Sequence, residues 1–135
     1  MSGERNLAIL LQSLNPELDP EDYVFCSIQS EDDAGLLRDA WAMIREREGV
    51  TLILRRDTAD RLHLPYDGLF RRITLSVHSS LEAVGLTAAV SSRLAERNIS
   101  ANVVAGYYHD HVFVPSGDAK QALEAIEKLN GASQD

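Results

Sequence analysis

The sequence predicts an α+β protein made of two similar halves, each reading β-α-β-β-α, which is five of the six elements of the βαββαβ split motif. In that motif two helices cover one face of an antiparallel sheet. Three observations carry the prediction. Phe70 to Val77 alternates apolar and polar residues with period two, while 86–94 and 119–129 carry apolar stripes of period 3.6. The same order of elements then occurs twice, over residues 22–64 and 69–130. Each half lacks its last strand and so leaves an open sheet edge, which the opening strand of the other half can close. A strand exchange between halves is therefore expected.

The elements follow in order. Leu7, Leu10, Leu11 and Leu14 form a stripe on a short N-terminal helix that Asn15 and Pro16 stop. Pro16 and the Asp19-Pro20 pair read as turns before a strand over Tyr23–Ile28, rich in aromatic and β-branched residues. Ser30 to Asp39 is a short helix or a loop. Trp41–Arg45 and Val50–Leu54 flank Glu46-Arg47-Glu48-Gly49 as a hairpin. Arg56 to Leu64 predicts a short helix, with Asp57 and Thr58 as candidate caps. In the second half Ile73, Leu75 and Val77 share one strand face. Leu86, Ala89, Val90 and Leu94 then mark a helix ending at Asn98, a residue tolerant of left-handed backbone. Asn102–Tyr108 and His111–Val114 predict two strands about a tight turn at His109 and Asp110. Ser116 is a candidate cap for a last helix carrying Ala119, Ala122, Leu123, Ile126 and Leu129. The domain reading is an N-terminal helix and linker over 1–20, halves over 21–68 and 69–130, and a disordered tail over 131–135.

Composition excludes several classes of function. With 135 residues, 44% of them hydrophobic, the chain can bury roughly two-thirds of its surface without a staple. Thirteen basic against 21 acidic residues give a net charge of −8, which opposes nucleic acid and anionic lipid. One cysteine, Cys26, rules out an intramolecular disulfide and a Cys-based zinc cage, and fits a reducing compartment. No apolar run approaches the ~20 residues that span a bilayer, and no export signal is visible. The expectation is a cytoplasmic protein with no membrane or nucleic-acid partner.

Catalytic signatures are weak. Ser79 and Ser80 follow His78, but GxSxG is absent and no Asp orienter can be assigned. Neither a P-loop nor GxGxxG occurs. His109 and His111 share a face if extended, and with His78 would make a three-His metal site, but a turn between them breaks that face and no fourth ligand is evident. Cys26, inside a strand, reads as a small buried hydrophobe, and Trp41 as packing. Arg55, Arg56, Arg61, Arg71 and Arg72 read as a solvated face paired with Asp57, Asp60 and Asp67. No catalytic residue, metal or cofactor is expected.

The run Gly85-Leu86-Thr87-Ala88-Ala89-Val90 through Leu94-Ala95-Glu96-Arg97-Asn98-Ile99 resembles the signature of the ACT-domain family, a Gly-containing loop followed by an amphipathic helix. Asn102 to Pro115 is similar to the next two ACT strands and their hairpin. The chain as a whole, over about residues 5–130, resembles small bacterial proteins of two ACT-like halves, related to the paired ACT domains of aspartokinases and of arginine-sensing regulators. The resemblance implies two ferredoxin-like subdomains, a non-enzymatic regulatory role, an amino-acid ligand at an interface between ACT units, and a homodimer.

The resemblance also assigns a candidate site. The loop Val84, Gly85, Leu86 and Thr87 opens a helix whose unpaired N–H groups attract a carboxylate. Gly85 lets the backbone approach a ligand, and the Thr87 hydroxyl adds a donor. Asp110 falls where related sensors hold the ligand ammonium, and Tyr107 and His109 are neighbours for its side chain. Without the resemblance, Gly85 and Thr87 read as a tight helix entry and Asp110 as a turn former. Two rival readings stand beside amino-acid binding: an interaction module without a ligand, and a His-based metal enzyme.

Overall fold

A computed structural model of the chain describes residues 14–29, 34–76 and 85–132. The predicted helix over Leu7–Leu14, apart from Leu14 itself, lies outside the described residues, as do 30–33, Val77, His78 and Val84. The elements are β1 (Pro16–Ile28), α1 (Ala34–Asp39), β2 (Ala42–Glu46), β3 (Gly49–Arg55), α2 (Arg56–Arg61), β4 (Phe70–Leu75), α3 (Leu86–Glu96), β5 (Asn102–Ala105), β6 (Asp110–Pro115), a 3₁₀ turn (Ser116–Asp118) and α4 (Ala119–Ala132). The β-α-β-β-α order therefore occurs twice, and the strands are ordered β2-β3-β1-β4-β6-β5.

Two compact units share β1. One comprises Glu21–Phe70, and the other joins the residues up to Pro20 to those from Arg71 onward. Residues 16–20 thus give the second half the outer strand that its own sequence lacks. This corrects the turn expected at Pro16 and Asp19-Pro20, since both prolines lie in extended chain. Pro16 is the first residue of β1, where a missing N–H costs no ladder bond, and Pro20 stands where β1 passes from one unit to the next.

In the unit of residues 21–70, β1 pairs antiparallel with β3 in a register that sets Val24 opposite Leu54 and Cys26 opposite Leu52. Those four side chains, with Val50 and Ala59, form a core onto which Leu36 and Leu37 of α1 and Leu64, Tyr66 and Leu69 pack. Cys26 is buried, and burial raises its thiol pKa. Trp41 meets Tyr23 edge-on at 6.5 Å. Asp57 and Thr58 do not cap α2. The helix starts directly from extended Arg55, with no side-chain cap, and Asp57 sits in its first turn. The helix ends with His63 in the left-handed region (φ 57°) and the Leu64 N–H donating to the Ala59 carbonyl at 2.9 Å, a Schellman ending that seats Leu64 on Ala59.

The other unit repeats this logic. Ile73 and Leu75 of β4 and Val112 and Val114 of β6 face Leu86, Val90 and Leu94 of α3 and Ala122, Ala125, Ile126 and Leu129 of α4. Asn98 takes the left-handed ending expected of it (φ 60°), and the Ile99 N–H donates to the Leu94 carbonyl at 2.9 Å. The β5–β6 register pairs Ala105 with Asp110, so the turn is Gly106–His109 and Asp110 opens β6. The shorter turn expected at His109 and Asp110 is thereby corrected. Gly106 explains the difference: its N–H donates to the His109 carbonyl at 2.9 Å and closes a four-residue loop. Ser116 begins a 3₁₀ turn that runs directly into α4.

Candidate functional site

Gly85 is the N-cap of α3, with φ 101° and ψ −22°, a conformation that a side chain disfavours. Its carbonyl accepts the first helical bond, from the Ala89 N–H at 2.8 Å. No acidic residue stands in the first turn. The Leu86 side chain is buried in the core, which leaves only its backbone for a ligand, whereas Thr87 is exposed. The first N–H groups of this 11-residue helix have no intrahelical acceptor, and the helix dipole adds partial positive charge to them.

Topology brings the β5–β6 hairpin to the same end of the unit. Thr74, one residue from the end of β4, shares a 3.0 Å hydrogen bond with Nδ1 of His111, one residue into β6. The hairpin therefore lies at the end where β4 leaves the sheet. The ending of α3 leads into the far end of β5, so α3, about 16 Å long, starts at the hairpin end. Asp110 alternates with His111 and so shares a face with Val112 and Val114, the face that the helices cover. Burial raises the Asp110 carboxyl pKa, and His109 partly offsets this.

Tyr107 and Tyr108 are 76% and 68% exposed, and their rings meet edge-on at 5.0 Å. The His109 and His111 rings stand 6.5 Å apart and nearly perpendicular. Burial, then the charges of Arg72 and His109, lower the His111 pKa to about 4, so its ring is neutral at physiological pH and bonded to Thr74. His78, the third member of the metal reading, lies outside the described residues. Among the described residues no group of three or more His, Cys, Asp or Glu is placed to hold a metal.

Sequence reasoning missed a polar cluster on the opposite face of the same sheet. Asp19 of β1 accepts from Arg72 of β4 at 2.6 Å, with both side chains about one-fifth exposed, while Arg71 Nε donates to the Asp19 carbonyl at 3.0 Å. Glu17, Leu18, Asp19, Pro20, Arg72 and Thr74 line a hollow of about 230 Å³ there. The alternation of Arg72 and Thr74 with Ile73 and Leu75 marked that face; their partner on β1 had no local signal. The remaining arginines pair at the surface, Arg55 with Glu21, Arg56 with Asp60 and Arg61 with Asp39, so the expected Asp60 is joined by partners distant in sequence.

Comparison with known proteins gives consistent matches. Residues 2–71 match one family model described as an ACT domain and residues 71–128 match a second. A Vibrio cholerae protein of unknown function, described as a possible transport protein, is 50% identical over 92% of this chain and 95% of its own, with a TM-score of 0.83. An Agrobacterium tumefaciens protein shares the fold at 15% identity over 87% of this chain and 89% of its own, TM-score 0.72. The ligand-free regulatory subunit of aspartate kinase from Thermus thermophilus also shares the fold, at 11% identity over 87% of this chain and 98% of its own, TM-score 0.60. No curated protein matches the chain.

Proposed function

The chain belongs to the ACT-domain family, and on that premise we propose that it is a non-enzymatic regulatory protein that binds a free amino acid at the start of α3. One observation carries the reading. Gly85, in the left-handed region, opens an 11-residue helix with no acidic side chain in its first turn, at the end of the unit where Asp110 stands. The N–H groups of Leu86 and Thr87 receive the ligand carboxylate, the Thr87 hydroxyl adds a donor, and Asp110 takes the ammonium. Tyr107 and His109 border the ligand side chain. A zwitterion suits a chain of net charge −8 better than an anion does.

A second copy of the chain is the natural partner. Among the described residues, β2 is an edge strand with Met43 and Ile44 36% and 43% exposed, which suits pairing with a copy of itself. Binding would act by favouring the assembled state. No helix among the described residues is long and apolar enough to cross a membrane.

A thermal-shift screen against the common amino acids and divalent metals tests the reading. An amino acid at about 100 times its dissociation constant is expected to add roughly 2.7 kcal/mol. Asp110→Ala is expected to abolish that gain while the protein stays folded; an undiminished gain would remove Asp110 from the site. If no amino acid raises the midpoint, the interaction module becomes the better account. If only zinc does, the metal reading replaces both.

A further inference from the structure

The unit of residues 21–70 carries a hollow of about 400 Å³ lined by Phe25, Ser27, Pro65, Tyr66 and Asp67. Its volume lies within the range of small-molecule sites. Phe25 and Ser27 alternate along β1 with Val24 and Cys26, which enter the core, so they stand on the opposite face. The Phe25 ring is held edge-on against Phe70, with centroids 5.2 Å apart and planes at 72°. Pro65, Tyr66 and Asp67 come from the loop after α2. That loop is ordered by the Schellman ending at His63 and Leu64 and by the Tyr66 hydroxyl donating to Asp60 at 2.7 Å. Two of the five lining residues, Phe25 and Tyr66, are thus aromatic and held in place before any ligand arrives, which lowers the entropic cost of binding.

The polar groups of the lining are the Ser27 hydroxyl and the Asp67 carboxylate, and it contains no basic side chain. Arg56, which stands at the Tyr66 hydroxyl, is paired with Asp60 at 3.5 Å. A lining of Phe25, Pro65 and Tyr66 with one carboxylate, on a chain of net charge −8, favours a cation carried on a ring. The carboxylate of an amino acid would meet Asp67 with no cation in the lining to receive it.

We propose that this hollow binds a small aromatic amine. The ring sits among Phe25, Pro65 and Tyr66, and the ammonium donates to Asp67 and to Ser27 Oγ. The site is independent of the amino-acid reading, because every lining residue belongs to the unit of residues 21–70.

Amide NMR spectra of the full chain titrated with phenethylamine, phenylalanine and phenylacetate test it. Phenethylamine is expected to give saturable shifts at Phe25, Ser27, Tyr66 and Asp67, and phenylacetate none there. Asp67 is exposed, so Asp67→Asn keeps the fold, which its own spectrum verifies, and is expected to weaken phenethylamine binding about fivefold, the effect of one exposed ion pair. The proposal is overturned by shifts that do not saturate, by equal responses to phenylacetate or phenylalanine, or by unchanged affinity in Asp67→Asn. The same spectra read amino-acid binding separately, at the amides of Gly85 to Thr87, so either site can fail alone.

Discussion

A methyl group on Gly106 would stand 2.8 Å from the carbonyl oxygen of His109, closer than a real Cβ approaches, and 3.5 Å from Nε2 of His111. The first contact is with a backbone carbonyl, which cannot swing aside, so the hairpin must open to admit it. Gly106→Ala is expected to cost about 1–3 kcal/mol, read as a lowered urea midpoint. His111 gives a pH signature. Its unfolded ring titrates near 6.5 and its folded ring at about 4, so between those values the unfolded chain holds more proton. The stability due to the neutral ring is complete above pH 6.5 and declines as pH falls toward 4. After allowance for solvent screening at a half-buried site, the loss is on the order of 1–2 kcal/mol. The raised Asp110 carboxyl works in the opposite sense, because the folded state takes up its proton more readily. Wild type is expected to lose more melting temperature between pH 7 and pH 5 than His111→Gln. Equal losses would show that burial, with the charges of Arg72 and His109, does not hold the ring neutral.

Elements were legible where the signal is local. β4 announces itself through Ile73 and Leu75, α3 through Leu86, Val90 and Leu94, and its ending through Asn98, because period and backbone tolerance are written in neighbouring residues. Gly85 was legible for the same reason. The start of β1 was not: Pro16 and Pro20 are turn formers by propensity, and what makes them strand is pairing with a segment made far later in the chain. The bond of Asp19 to Arg72 spans 53 positions and that of Thr74 to His111 spans 37, so neither leaves a mark in any short window. The first of these sets the stability of the borrowed strand. Asp19→Asn leaves the mostly buried Arg72 guanidinium without its carboxylate and is expected to cost about 1–3 kcal/mol. Asp39→Asn, which breaks the exposed pair with Arg61, is expected to cost less than about 1 kcal/mol. Chemical denaturation of the two variants side by side checks the contrast.

At the scale of the whole molecule, the exposed β2 edge makes assembly the measurable property. Sedimentation of the wild type is expected to give twice the chain mass, and Ile44→Lys to give the single mass, since a charge on an edge strand opposes pairing. A monomeric wild type would remove the dimer from the functional reading. The division of β1 has a further consequence, for the chain as it leaves the ribosome. Residues 21–70 complete a unit as soon as Phe70 emerges, whereas residues 16–20 are synthesised before all of that unit and wait for β4 to find their partner. Residues 16–20 therefore pair late, across a closure of more than fifty residues that slows this step relative to the local hairpins. A chain stopped near residue 100 would hold residues 16–20 with only part of their sheet to receive them.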